Sequence, residues 1–240
     1  MLAGVSPDYY IRLEQGRTTH VSDQVLTAVA RVLFLSEAER EHLRNLARSN
    51  TWAPVQASSE ASDDTPLVRL LEAMTDVPAL LIDVRMDIIA ANATAEAVFD
   101  FAGSSHPANS AKMLFLAPDA RARYTNWEAV AADTVAHLRL MTGRWPEDTG
   151  LMALIAELTD TSEAFKQVWN KGTVREKAEG TLHLMHPIVG RLEFEYHVLA
   201  VPSRPDRSLL TYVPVPGSPS EEALRVLGSW TAASVPSGER

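Results

Sequence analysis

The chain has 240 residues, no cysteine and a formal net charge of −9 at pH 7. This length suits one large domain or two smaller ones, and the lack of cysteine excludes disulfides, thiolate metal sites and cysteine nucleophiles. The acidic balance argues against a chain that binds a polyanion along its whole length. Residues 1–50 hold six basic and six acidic side chains, so residues 51–240 carry the entire net charge. We therefore expect any contact with nucleic acid in the neutral N-terminal segment.

The first residues lack the basic start and apolar run of a signal peptide, and every apolar run is too short to span a bilayer. A chain without cysteine also fits a reducing compartment. These observations predict a cytoplasmic protein with no membrane partner.

The N-terminal 49 residues have the pattern of an all-helical segment. Ser6 and Pro7 are suited to start a helix that runs to Gln15, and Ser22 is suited to cap a second one. Ser36 begins the capping-box pattern SEAE of a third helix. Residues 50–65 are rich in small, polar and proline residues, which indicates a linker.

Residues 66–217 predict a second, mixed domain. A short helix is expected at 66–78, then a hairpin with its turn at Arg85–Asp87, and then a short helix. Further helices are expected in SAKMLFL, from Pro118 to Met141, and twice in TGLMALIAELTDTSEAFKQVWNKG. Three strands follow in GTLHLMHP, GRLEFEYHVLAV and SLLTYVPV, and residues 218–240 predict a helix and a disordered tail. This order describes an α+β domain whose antiparallel sheet is covered on one side by helices.

The search for catalytic or metal-binding patterns finds little. There is no glycine-rich phosphate loop, no HExxH motif and no nucleophile elbow. His183 and His186 are three residues apart on an expected strand and point to opposite faces, which makes them a poor metal pair. We therefore predict no catalytic residue, no metal and no cofactor. Trp127 and Trp169 lie in helical patterns, and they fit either a filled core or a cavity for an apolar ligand.

Two regions of the chain resemble a known family when taken together. LAGVSPDYYIRLEQGR and LTAVARVLFLSEAEREHLRNLA resemble the second half of a five-helix helix-turn-helix domain of the xenobiotic-response-element type. Roughly residues 65–228 resemble the ligand-binding domain of MmyB-like transcription regulators. The segments that carry this second resemblance are AANATAEAVF, NSAKMLFLAPDARARYTNWEAVAADTVAHLR, SEAFKQVWNKGTVR, HPIVGRLEFEYHVLAV and TYVPVPGSPSEEALRVL.

The resemblance implies a bacterial transcription factor that acts as a homodimer. It implies a PAS-like domain with a five-stranded antiparallel sheet at residues 66–217, which binds a small apolar molecule, with a fatty acid as the known precedent. The DNA contacts it implies are Ser6, Tyr9, Arg12, Gln15 and Arg17. The pocket it implies is lined by Leu81, Ile89, Phe99, Leu116, Trp127, Val130, Leu138, Trp169, Phe194 and Tyr196. A ligand carboxylate is expected to be anchored by Arg139 or His186, or by Asn92.

The N-terminal segment departs from the family in one respect. Family members carry the first helix and most of the second before LAGVS, so residues 1–49 resemble a truncated helix-turn-helix. One explanation is that the start site is assigned downstream of the true one, so that the protein is longer. The other is that the chain is a remnant that senses a ligand and does not bind DNA. The competing hypotheses are therefore a stand-alone ligand-binding or dimerisation module and, more remotely, a small-molecule enzyme that uses His186.

Overall fold

The computed structural model describes residues 22–35, 39–40, 43–44, 63–106, 108–171 and 179–233. Helix α1 (Asp23–Val32) begins where the sequence predicts, because the Ser22 hydroxyl accepts a hydrogen bond from Val25 N at 3.4 Å. The helix predicted from Ser6, the Ser36 cap, most of the expected linker and residues 234–240 lie outside the described residues.

The larger region follows the predicted order of two strands, several helices and three strands. Its elements are α2 (Thr65–Ala73), β1 (Ala79–Asp83), β2 (Ile88–Ala91), α3 (Ala93–Phe99), α4 (Ser110–Leu116), α5 (Ala120–Arg123), α6 (Trp127–Arg144), α7 (Thr149–Thr161), α8 (Glu163–Asn170), β3 (Glu179–His186), β4 (Gly190–Ala200), β5 (Arg207–Val213) and α9 (Pro219–Ala233). The α+β class is thereby confirmed.

The five strands form one sheet in the order β2–β1–β5–β4–β3, with every neighbouring pair antiparallel. Alternation along β4 buries Leu192, Phe194 and Tyr196, while the glutamates between them stay exposed. These side chains pack against helices α3 to α6 and α9 in the main core.

The opposite face of the sheet also carries a helix. Leu81 of β1 and Leu209 of β5 pack with Leu71 of α2. The prediction that helices cover only one side is therefore wrong over β1 and β5. Along β4 the second face reaches solvent, where Leu199 is about half exposed.

The long helix predicted from Pro118 to Met141 is broken at residues 124–126. Tyr124 forms an antiparallel bridge with Leu184, and Thr125 N donates to His183 O at 2.9 Å. Asn126 adds two hydrogen bonds to the edge of β3, to Thr181 O and from His183 N. The break thus satisfies backbone groups of an edge strand that would otherwise be open.

The helix predicted at 66–78 ends earlier, at Ala73. The carbonyl groups of Met74 and Val77 accept hydrogen bonds from the Asn92 side-chain amide at 2.6 and 2.7 Å, and the Thr94 hydroxyl donates to Thr75 O. Since Pro78 also disfavours a helical residue before it, the chain leaves the helix and turns into β1.

Candidate ligand-binding site

Helix α6 is the centre of the candidate site because it is buried on nearly every side. It separates the sheet from α8, so its two faces belong to different apolar clusters. Its buried side chains include the polar residues Thr134 and His137 as well as most of its apolar ones. A helix that is buried all round belongs to the interior of its domain.

The first cluster, on the sheet side of α6, holds five of the predicted pocket residues. Phe99, Trp127, Val130, Phe194 and Tyr196 are all buried in it. The Trp127 indole N–H donates to Leu114 O at 3.0 Å, and the Tyr196 hydroxyl donates to Asp133 Oδ2 at 2.8 Å. The polar groups of these two rings are therefore satisfied within the domain.

The second cluster lies on the other side of α6, against α7 and α8. Leu138 is fully buried in it, and Leu116 and Trp169 pack at its margin. Aromatic rings connect the two clusters, because Phe115 makes edge-to-face contacts with both Trp127 and Phe165. Phe165 in turn stacks on Trp169, with the ring centroids 5.5 Å apart.

A cleft of about 110 Å³ lies between α6 and α8. Its α6 wall is a single helical stripe, since Glu128, Ala132 and Val135 are spaced by four and three residues. The next position of that stripe is Arg139. Trp127 of α6 and Val168 of α8 complete the apolar lining, and Lys171 lies at its exposed rim. We call the cleft, together with Arg139 and Trp169, the α6–α8 seam.

Arg139 is held in the seam by aromatic and backbone contacts. Its guanidinium lies over the Trp169 ring at 4.5 Å and donates through Nη2 to Trp169 O. The Arg139 Nε atom is buried and has no hydrogen-bond partner among the described residues. Burial lowers the pKa of Arg139, because the charged form loses contact with water. The seam therefore presents a partly desolvated cation with an unused donor beside apolar walls.

Asn92 is not placed to anchor a ligand. It caps α3 by accepting from Ala95 N at 2.8 Å, and the same oxygen accepts from Ala79 N at 3.1 Å. Its two amide protons are used by Met74 O and Val77 O. With four hydrogen bonds and 3% exposure, its side chain is committed to joining the start of β1 to α3.

His186 is likewise committed to the fold. Nε2 lies 3.1 Å from Ala97 O, and Nδ1 accepts from Ile188 N and Val189 N at the β3–β4 turn. Burial, as the main cause, lowers the pKa of His186, while the Ala97 hydrogen bond opposes this. The geometry suits a neutral ring that fastens the turn to α3, away from the α6–α8 seam.

Two other expected pocket residues lie elsewhere. Leu81 is buried on the opposite face of the sheet, under α2, and Ile89 is 41% exposed. Leu81 and Ile89 do not face the main core as Phe194 and Tyr196 do, because side chains alternate between the two faces along a strand. The thirteen predicted pocket residues are therefore distributed over both clusters, the second face and the surface. The predicted DNA contacts Ser6, Tyr9, Arg12, Gln15 and Arg17 lie outside the described residues.

The described residues contain no group of three or more histidine, aspartate or glutamate side chains arranged to hold a metal ion. Within the same residues, no helix is both long and apolar enough to cross a membrane.

A family comparison agrees with this arrangement. Residues 64–227, roughly two thirds of the chain, match the model for the MmyB-like transcription regulator ligand binding domain. The chain belongs to this family. The family is one of regulator ligand-binding domains and not of enzymes, and it supports a regulator that senses a ligand. The match begins one residue before α2 and includes both clusters and the seam. No curated protein matches the chain.

Several residues of the seam were missed from the sequence. Ala132, Val135 and Val168 are small or aliphatic and resemble ordinary core positions, while Lys171 resembles a solvated charge. The helical spacing that connects Glu128 to Arg139 was an available signal. So was the Ser162 cap, which fixes the start of α8 and thereby the direction of its side chains.

Proposed function

We propose that this chain is a bacterial transcription regulator whose PAS-like domain, at residues 66–217, binds a small apolar acid. A fatty acid is the ligand that we expect. The proposal extends the family assignment, and it is supported by the largely apolar cleft between α6 and α8 and by Arg139, which follows Val135 on the same stripe of α6 and has an Nε without a hydrogen-bond partner among the described residues. In this proposal the protein is cytoplasmic and acts as a homodimer, since operators tend to mirror a protein twofold.

The buried Nε of Arg139 is the observation that carries the proposal. An ionised carboxylate has only hydrogen-bond acceptors. It can therefore accept a hydrogen bond from the Arg139 Nε–H, which has no acceptor among the described residues. Stacking on Trp169 fixes the guanidinium plane and reduces the freedom that binding would cost. Asn92 and His186, the other expected anchors, have no spare donor for a carboxylate.

The size of the cleft implies that binding changes the structure. Ligand pockets typically occupy roughly 300–1,000 Å³, whereas the cleft measures about 110 Å³. A long acyl chain therefore requires α8 to move away from α6, which exposes the apolar surface around Leu138 and Phe165. The closed and opened arrangements would be the two states between which a ligand shifts the population.

A comparison of ligands and variants tests the anchor. We expect Arg139→Gln to weaken binding of myristate by roughly 10- to 100-fold, the range for a charge-assisted hydrogen bond, and to leave binding of the uncharged methyl ester unchanged. Arg144→Gln is the matched control, because Arg144 is exposed in the last turn of the same helix. Isothermal titration of all three proteins measures the affinities. Equal losses for acid and ester would contradict a carboxylate site at Arg139.

DNA binding forms the second half of the proposal. Tyr9 and Arg17 would hold phosphates, Arg12 and Gln15 would reach base edges, and Ser6 would be a further DNA contact. A gel-shift titration with DNA from the region upstream of its own coding sequence should show retardation that Arg12→Ala with Arg17→Ala abolishes. The alternative is a stand-alone ligand-binding or dimerisation module that does not bind DNA. Myristate binding without any retardation would support that alternative.

A further inference from the structure

Four charged side chains meet where the chain enters the ligand-binding domain. Asp64, the residue before α2, lies between two arginines of the β4–β5 connection. Its Oδ1 is 2.9 Å from Arg204 Nη2, an ion-pair contact without hydrogen-bond geometry, and its Oδ2 accepts a hydrogen bond from Arg207 Nε at 3.2 Å. Asp206 completes the group at 2.7 Å from Arg207 and 3.6 Å from Arg204. The four charges sum to zero.

The group is shielded from solvent more than an ordinary surface ion pair. Side-chain exposure is between 16% and 27% for all four residues. Arg204 also reaches Asp63 O at 3.5 Å, so both residues before the helix are held. Partial burial reduces the screening that makes most exposed pairs weak.

These ion pairs act on the start of α2, where Leu67 and Val68 are only partly buried against the apolar cluster on this face of the sheet. The buried side chain of α2 is Leu71, which lies near the end of the helix and packs on Leu81 and Leu209. At the N-cap position the Asp64 carboxylate makes no capping hydrogen bond, and Asp63 Oδ1 instead accepts from Thr65 N at 3.0 Å. Asp64 is therefore engaged with the arginines and not with its own helix.

Arg207 connects this group of charges to the central strand of the sheet. Arg207 is the first residue of β5, where it pairs with Asp83 of β1, and β5 lies between β1 and β4. Leu210 and Tyr212 of the same strand are buried in the first cluster. The entry point of the domain is thus fixed to the strand that contacts the main core.

We propose that Asp64, Arg204, Asp206 and Arg207 form an electrostatic clasp that holds the first turn of α2 against the β4–β5 connection. The clasp fixes the position of Asp63 and Asp64 relative to the first residue of β5. This role is independent of the identity of the ligand and of DNA binding.

Distance measurements between spin labels test the clasp. Because the chain has no cysteine, Arg69→Cys on α2 and Glu195→Cys on β4 provide two unique labelling sites, both exposed. We expect a narrow distance distribution in the labelled protein and a broader one after Asp64→Asn. Arg204→Gln with Arg207→Gln should broaden it similarly. Glu72→Gln is the matched control, since it removes the same charge from an exposed site on α2 and should change nothing.

Hydrogen exchange provides an independent readout. The Val68 amide donates to Asp64 O at 2.9 Å, so its exchange should accelerate in Asp64→Asn, while the Leu209 amide in β5 should keep its protection. An unchanged distance distribution and unchanged Val68 exchange would overturn the clasp. If Asp64→Asn unfolds the domain, Asp206→Asn leaves both Asp64 pairs in place. It should then give a smaller broadening, and no broadening would again overturn the proposal.

Discussion

Two regions of the ligand-binding domain use polar groups in opposite ways. Around Asn92 and Thr94, which we call the Asn92 network, the side-chain donors are matched to carbonyl acceptors on residues 74–77, and the Asn92 oxygen accepts from the amides of Ala79 and Ala95. In the α6–α8 seam, the Arg139 Nε is buried with no partner among the described residues, and the Trp145 indole N–H nearby in sequence is in the same state.

In the proposed function, this difference separates the scaffold of the domain from its ligand site. A buried donor without an acceptor costs roughly 1–3 kcal/mol, so a region that keeps one is less stable than its apolar contacts alone would make it. Such a region can recover this free energy when an acceptor arrives. In the Asn92 network the side-chain donors already have acceptors, so ligand binding offers no such gain in free energy. We expect this network to stay unchanged when the ligand binds.

The largest expected effect comes from Trp127, which belongs to both the first cluster and the seam. Trp127→Ala should lower the free energy of unfolding by roughly 3–5 kcal/mol, as for other aromatic truncations in a core. It should also alter retention of copurified lipid, measured by native mass spectrometry. Trp169→Ala is the comparison, since its partly exposed ring should cost less stability and still weaken retention. Loss of stability with unchanged retention in both variants would assign the two rings to plain core.

The Asn92 network should be almost as sensitive. Asn92→Ala leaves Ala79 N and Ala95 N without their acceptor and removes two donors from the α2–β1 connection. We expect a loss of roughly 2–4 kcal/mol in urea unfolding. Asn170→Ala, at an exposed position in α8, should change stability by less than about 0.5 kcal/mol. A small loss for Asn92→Ala would mean that the network is not part of the scaffold.

A smaller effect is expected where the sheet is joined to α6. Tyr196→Phe keeps the ring in the first cluster and removes the hydrogen bond to Asp133. The expected loss is about 1–2 kcal/mol, because a partly buried carboxylate oxygen loses one of its hydrogen-bond donors. Thermal unfolding followed by circular dichroism measures it. A variant as stable as the native protein would show that this hydrogen bond contributes nothing net.

The smallest effect concerns pH. Since the folded state lowers the pKa of His186 below its ordinary value of 6.5, the unfolded state binds more protons on acidification. His186 therefore contributes a loss of stability as pH falls through about 6.5. Its replacement by glutamine should flatten the dependence of unfolding free energy on pH between 7 and 5. His183→Gln, on the other face of β3, is the control, and an equal flattening there would contradict the assignment.

Much of the fold could be predicted because its signals are local. Asn92, Ser162 and Ser22 each cap the helix that follows, and the alternation along β4 gives the buried face directly. The turn at Arg85–Asp87 is also where the structure has it, stabilised by two backbone donors to Asp83 Oδ1. These features need only neighbouring residues.

The remaining features depend on contacts between distant residues. Residues 124–126 continue a helical pattern, and only the exposed edge of β3 explains why they leave the helix. Leu81 is as apolar as Leu80, yet it lies on the opposite face of the sheet and packs against Leu71 of α2. The sequence predicts Arg139 as an anchor. Its stacking on Trp169 cannot be predicted in this way, because it depends on where α8 packs against α6.

Hydrogen exchange with and without ligand tests the central claim most directly. With saturating myristate, we predict changed protection of amides in α6 and α8 and unchanged protection in the Asn92 network, with no change at either place for Arg139→Gln at the same myristate concentration. A change confined to the Asn92 network, or identical responses in the native protein and Arg139→Gln, would contradict an acid site in the α6–α8 seam.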